Sequence, residues 1–437
     1  MTGPAAVRLE ADMVVTGDDT RPVIPGGVVE IGGDGRIAAV GTRDELGVGP
    51  APRRVGGLLM PGLVNTHAHT PMTLVRSAGD GLTLQQWLTD AVWPLESRMS
   101  PEDSRAGMRL GSMEMLLAGV TTSCEMYRHE EMVVAAARET GARLVITPGV
   151  IAGLSDDADL ARRGGALDPV PHADNPPHEG INGGSAPRTR YALSPRLCGE
   201  IAARARAAGS FVHIHLEETR QERELILERW GTSATTLLAE AGVFDGPTLL
   251  AHGVWLDDAD LALLGGTRAA VAHCPQSNLK LGSGIARVAA MREAGITVGI
   301  GTDGPASNDN LDLWEELRLT PLLARGTAHD PRAMPAEVAL RLATADGAAA
   351  VGLDDVGVLR AGAWADLIRL DLDHPSFCPF VEDRLLTQLV FSGCAQAVTD
   401  VWVGGRAVVV DGEITTVDRH EVMADAGQRA AGLARRM

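Results

Sequence analysis

Eight short apolar, β-branched runs recur through the middle of this chain, and most are separated by segments with helical spacing. The runs are Leu58–Thr66, Val120–Glu125, Arg143–Gly149, Thr189–Leu193, Ser210–Leu216, Thr248–Ala251, Ala269–Ala272 and Thr297–Thr302. Glu131–Thr140, Arg196–Ala208, Ala259–Gly265 and Ile285–Ala294 carry the helical period between them. Strands that alternate with helices build parallel βα units, because a parallel connection needs a crossover long enough to hold a helix. Eight such units in about 250 residues predict an α/β fold with a closed (β/α)8 barrel. An open doubly wound sheet is the alternative, but the GxGxxG turn that would favour it is missing.

The two ends of the chain read differently. Met13–Thr16, Gly27–Ile31 and Gly35–Val40 are short strands, with Gly32-Gly-Asp-Gly35 as a hairpin signal between the last two. The same texture returns at Ala365–Leu370, Ala397–Val403 and Arg406–Val410. Neither block can close a core alone, so both are expected to meet in one small β-sandwich domain. The expected division is 1–57 with 360–418 for that domain, 58–359 for the barrel and 419–437 for a C-terminal helix. Gly153–Arg188 has little periodicity and reads as a long connection above the face where barrels build their sites.

Composition narrows the partners. The formal net charge is −18, which argues against nucleic acid or an anionic membrane as the main partner, since both call for basic patches. No apolar stretch approaches the roughly 20 residues that span a bilayer, and the first residues lack the pattern of a signal peptide. The five cysteines are scattered without CxxC spacing, which fits a reduced cytosol rather than a disulfide framework. A small-molecule substrate, a cytoplasmic location and a homo-oligomer are expected.

The chemistry lies at the strand ends. His67-Ala-His69 closes the first run, and residues two apart on a strand share a face, so both imidazoles can grip one ion. Phe211-Val-His-Ile-His215 closes the fifth run and leads into Glu217-Glu218, His252 closes the sixth, and Gly301-Thr-Asp303 closes the eighth. Imidazoles with one carboxylate suit Zn²⁺ or Fe²⁺ and leave a position for water. Asp303 ends a buried apolar strand, where a carboxylate needs a partner to offset desolvation. Glu218 can face the pocket without binding the ion, whereas Glu217 reads as a solvated carboxylate at a helix start. His213 shares the strand face of His215 and is a rival ligand, ranked lower because only His215 has the glutamate three residues on. His273 reads as structural.

Several longer stretches sharpen this picture: Pro61–Met72, Glu125-Met-Tyr127, His213-Ile-His-Leu-Glu-Glu-Thr219, Leu250-Ala-His-Gly253, Ser277-Asn-Leu-Lys-Leu-Gly282, Gly301-Thr-Asp-Gly304, Ala306-Ser-Asn308 and Ala363-Trp-Ala-Asp-Leu367. Together they resemble the amidohydrolase superfamily. Within it, they resemble specifically the S-adenosylhomocysteine/5′-methylthioadenosine deaminases, with triazine chlorohydrolases and guanine deaminase as cousins. That resemblance implies a single divalent metal, zinc or iron, on His67, His69, His215 and Asp303. It implies that Asp303 takes the proton of the attacking water, Glu218 protonates the substrate ring nitrogen, and His252 stabilises the developing centre. It matches Trp87 and Glu96 to substrate contacts, Glu96 to a ribose hydroxyl. Two positions depart from the pattern: Pro148 stands where an arginine is common, and Leu193 where a histidine is common. Arg162 or Arg163 could supply the missing cation. The implied reaction is hydrolytic deamination of an adenine-type nucleoside; the alternative is hydrolysis of another aminated or chlorinated heterocycle.

Overall fold

The computed structural model describes residues 6–151, 181–183, 186–188 and 195–435, with side chains over 6–147 and 195–435. Its centre is a ring of parallel strands. In chain order these are β1 (Leu63–Ala68), β2 (Val120–Tyr127), β3 (Arg143–Ile151), a two-piece β4 (Ile181–Gly183 and Ala186–Arg188), β5 (Val212–Leu216), β6 (Thr248–His252), β7 (Ala269–His273) and β8 (Thr297–Ile300). β1 to β4 pair in order, as do β5 to β8, all in parallel. β4 runs beside β5, and an Ala68–Asp303 bridge joins the end of β1 to the turn after β8. The chain therefore folds as the expected (β/α)8 barrel with a separate β-sheet assembly.

Parallel strands covered on both faces read as continuous apolar runs, and β5 shows how such a run hides a polar face. Val212, Ile214 and Leu216 pack outward into a core shared with Ala202, Ala205, Leu238 and Phe244 of the surrounding helices and turns. The alternating His213 and His215 point the other way and are buried too. The covering helices have local stop and start signals. Ser100 and Asp103 form a capping box at the start of Pro101–Leu117, and Thr219 caps Arg220–Trp230, which ends at a left-handed Gly231.

The expected strand over 58–66 is two strands, broken at Gly62. Leu58–Pro61 pairs antiparallel with Leu367–Leu370 and parallel with Met13–Val15, whereas β1 pairs with β2. One apolar run changes partner sheets halfway, and hydrophobicity does not record which sheet a strand joins. Leu58–Pro61 thus sits in a seven-stranded sheet built from both chain ends, facing a four-stranded sheet made of Ile37–Thr42, Gly27–Ile31, Val7–Glu10 and Arg53–Arg54. Leu9, Val14, Ile24, Val29, Leu59 and Trp402 fill the space between them. Arg143, at the start of β3, makes a buried two-pronged ion pair with Asp366 at 2.5 and 3.0 Å. This pair ties the barrel to the returning strand.

A second correction concerns β4. The strands at 181–183 and 186–188 lie inside the stretch read as a long connection, because three-residue strands broken by Gly-Gly-Ser carry no period. The expected run Thr189–Leu193, with Leu193 itself, and Arg162 and Arg163 lie outside the described residues. The C-terminal helix spans Arg419–Arg435. All five cysteines are unpaired. Among the described residues, no helix is long and apolar enough to cross a membrane.

One cap carries a pH dependence. Asp312 begins helix Leu313–Ala328 and accepts from the Trp314 amide at 2.9 Å. Burial, with Glu315 and Glu114 nearby, outweighs that bond and raises its carboxyl to about 6. A raised carboxyl binds its proton more tightly when folded, so ionising it costs stability as pH climbs from about 4 to about 6. Asp312→Asn keeps a cap acceptor without the charge. The variant is expected to be more stable than the parent by about 1–2 kcal/mol at pH 7.5, and nearly equal to it at about pH 3.5. Urea melts at the two pH values check this; an equal difference at both would refute it.

Candidate metal centre

At the C-terminal mouth of the barrel, four strands deliver His67 and His69 (β1), His215 (β5), His252 (β6) and Asp303 (just past β8), all buried. His252 and Asp303 hold φ of 74° and 59°, a left-handed backbone that costs a non-glycine residue about 1–3 kcal/mol and clusters at functional sites. That turn at each strand end swings the side chain into the mouth. The Asp303 amide donates to the His67 carbonyl at 2.9 Å. Gly301 permits this approach, since a Cβ there would lie 2.8 Å from the His67 nitrogen.

The donor atoms converge closely. Nε2 of His67 and Nε2 of His69 lie 3.4 and 3.3 Å from Asp303 Oδ1, and Nε2 of His69 lies 3.3 Å from Nε2 of His215. One ligating atom each from His67, His215, His252 and Asp303 falls within 4.8 Å of the others. Bonds of about 2.0–2.1 Å from a tetrahedral ion put neighbouring ligands about 3.4 Å apart, so these spacings fit one divalent cation. Ring orientation agrees. His69 Nδ1 faces the Met126 carbonyl at 2.7 Å, an acceptor only, so that nitrogen carries the hydrogen and Nε2 presents its lone pair. His252 Nδ1 meets Asn278 Oδ1 at 2.9 Å with the same consequence.

Asp303 is held as an anion. Its Oδ2 accepts from Ser277 at 2.6 Å and from Ser307 at 2.8 Å. Glu218 is buried with Oε2 3.7 Å from His252 Nε2. Its backbone amide is held by the Glu222 carboxylate at 2.9 Å. Beside it, a cavity of about 390 Å³ opens between Thr83–Gln85, Thr219–Gln221, Trp255 and Leu281–Ser283.

Three sequence readings change here or become specific. Glu217 is not solvated: it is fully buried, pairs with Arg223 at 3.2 Å, and burial raises its carboxyl. The Arg223 on the next helix turn faces inward, which the run of charges after Thr219 does not announce. His213 stands behind His67, its Nε2 2.9 Å from His67 Nδ1, one layer deeper than His215. His273 is buried outside the cluster, and burial with His252 nearby lowers it to about 3, so it stays neutral.

Trp87 and Glu96 are both buried. Trp87 packs in a cluster with Met72, Leu84, Tyr127 and Leu281, and its indole donates to the Ala78 carbonyl at 2.8 Å. Sequence reading assigned no role to Ser277, Asn278, Ser307 or Glu125. Glu125 accepts from both the amide and the hydroxyl of Thr70 at 2.9 and 2.5 Å, which clamps the turn after His69. Their signal was small polar residues just past β7 and β8, and a glutamate inside an apolar strand.

Comparison with known proteins agrees with this geometry. The chain is 38% identical over 436 residues to the 5-methylthioadenosine/S-adenosylhomocysteine deaminase of Pelotomaculum thermopropionicum, covering 99% of this chain and 100% of that one. Among solved structures, a zinc-bound adenosine deaminase from Xanthomonas campestris superposes with a TM-score of 0.92 at 32% identity, covering 100% of both chains. A zinc-complexed atrazine chlorohydrolase from Arthrobacter aurescens shares the fold, with a TM-score of 0.87 at 24% identity over 97% of this chain and 100% of that one. The Amidohydrolase family profile matches residues 58–408. With a barrel of this form, a His/Asp cluster at its mouth and that match across most of its length, this chain belongs to the amidohydrolase family.

Proposed function

We propose that this protein is a zinc-dependent hydrolytic deaminase of adenine-type nucleosides, adenosine or a 5′-modified adenosine. The observation that carries the reading is the buried Glu218 beside His252 and the His/Asp cluster: a proton donor within reach of a centre where water is activated. Likeness to a zinc-bound adenosine deaminase supports zinc over iron and the nucleoside over other heterocycles.

His67, His69, His215 and Asp303 would hold the ion, which when bound acts as a Lewis acid and lowers the pKa of water towards ~7. Asp303 takes the proton of the attacking water. The oxygen adds to the ring carbon that bears the amino group, and Glu218 protonates the neighbouring ring nitrogen. His252, oriented by Asn278, stabilises the charge that builds at the attacked carbon. The proton held by Asp303 passes to the exocyclic nitrogen, the carbon–nitrogen bond breaks with its electron pair on nitrogen, and ammonia leaves; the added hydroxyl becomes a carbonyl by giving its proton back to Glu218, which restores the acid. In this reading the barrel does the chemistry and the sheets built from both chain ends brace it. By the same resemblance Trp87 and Glu96 would contact the nucleoside, Glu96 at a ribose hydroxyl.

Pro148 replaces a common arginine, so a free carboxylate on the 5′ substituent lacks a cation there. This favours adenosine or 5′-methylthioadenosine over S-adenosylhomocysteine. An ultraviolet deamination panel of nucleosides, free bases, pterins and chlorotriazines tests the reading. Ammonia release from adenosine or its 5′-thioether is expected, and a response confined to free bases, pterins or chlorotriazines would overturn it.

A further inference from the structure

His67 differs from His69 and His252 in what stands behind it. His69 is backed by a carbonyl and His252 by an amide oxygen, whereas His67 Nδ1 meets the ring nitrogen Nε2 of His213 at 2.9 Å. Either nitrogen of that pair could carry the hydrogen, so the contact alone does not say which way His67 is protonated.

The direction is set one step further back. The Thr147 hydroxyl donates to the Glu125 carbonyl at 2.7 Å. A hydroxyl has one hydrogen, so the 3.1 Å contact between the same oxygen and His213 Nδ1 is one that Thr147 accepts. His213 Nδ1 therefore bears the hydrogen. Cys124 Sγ, 3.8 Å from that nitrogen, is a weaker second acceptor. An uncharged imidazole protonated at Nδ1 presents only a lone pair at Nε2. His67 must then donate from Nδ1 to His213, and its own Nε2 lone pair is turned towards Asp303 Oδ1 at 3.4 Å. Two electron-rich atoms face each other there, an arrangement that a cation between them relieves.

We propose that Thr147 and His213 are positioning residues that set the tautomer of His67 and so commit its Nε2 to the metal. The chain runs from the Glu125 carbonyl through a hydroxyl and one imidazole to the ligand. It is built entirely from strands β1, β2, β3 and β5, so it spans the barrel interior beneath the site. His213 occupies the layer below His215 because strand alternation places both on one face. It serves the role that a carboxylate, carbonyl or water usually serves behind a ligating histidine.

The inference rests on the metal reading above, and two measurements separate the fates of the two. Metal-free protein is titrated with Zn²⁺ against a chromophoric chelator, for the parent, His213→Leu, His213→Gln and Thr147→Val. Losing the partner behind a ligand is expected to weaken zinc binding by about 10–100-fold in His213→Leu. The smaller loss is expected in Thr147→Val. Recovery of most of the affinity is expected in His213→Gln, whose amide oxygen can accept from His67. Ring ¹⁵N shifts of the metal-free parent should report His67 protonated at Nδ1, with that preference reduced in folded Thr147→Val.

Parent-like zinc affinity in folded His213→Leu would overturn the proposal. So would His67 protonated at Nε2 in the metal-free parent, a result available even if His213→Leu fails to fold. If the parent bound no zinc while the ring shifts came out as expected, the metal reading would fall and the tautomer assignment would stand.

Discussion

Replacing Glu218 with glutamine is expected to lower kcat by about 10²–10⁴-fold, the range that a positioned general acid contributes, while the protein keeps one zinc per chain. The side chain is buried and stands 3.7 Å from His252. Glutamine preserves the volume and much of the hydrogen bonding but cannot give up a proton. Substrate binding should change far less than turnover, because the lost interaction belongs to the step in which the ring nitrogen takes its proton. Steady-state kinetics together with metal analysis make the check. Near-parental kcat in a zinc-replete Glu218→Gln protein would remove Glu218 from the acid role.

Asp303→Ala is expected to have a different signature, in which metal and turnover vanish together. Oδ1 is the atom that both His67 and His69 approach within 3.4 Å, and Oδ2 is locked by two serine hydroxyls. Removing the carboxylate takes away the acid of the donor set and, in the proposed mechanism, the group that receives the water's proton. It also leaves four imidazoles crowded without a counter-charge. Loss of the base alone costs about 10²–10⁴-fold, and loss of the ion removes the activation of water as well, so activity below about 10⁻⁴ of the parent is expected. Zinc should fall well below one per chain after dialysis. An Asp303→Ala protein that still carried stoichiometric zinc would show that the carboxylate is not a ligand. Set beside Glu218→Gln, the pair separates holding the ion from moving the proton.

The parts of the site that were legible in advance are those that rest on periodicity. A histidine two residues from another at the end of an apolar run, a histidine closing β6 and an aspartate after β8 are statements about strand ends, and strand ends in a barrel share one mouth. His67, His69, His215, His252, Asp303 and Glu218 all come together there. What was illegible depends on which surfaces touch. Leu58–Pro61 and β1 read as one strand because an apolar run does not say which sheet it pairs with. Glu217 read as solvated because the Arg223 that neutralises it is a tertiary neighbour. The short strands of β4 carry too few residues to show a period.

The alternation of strands with helices, the face on which each histidine stands and the chemistry of the donor set follow from the amino-acid sequence alone, because alternation along a strand and residue type are local properties. The place of His213 behind His67, the serines on Asp303 and the partner of each ring nitrogen were decided only when the strands closed into a ring. Depth along a barrel and hydrogen-bond direction are relations between segments far apart in the chain. His67 and His213 are 146 residues apart and 2.9 Å from each other, a distance that only the closed barrel sets.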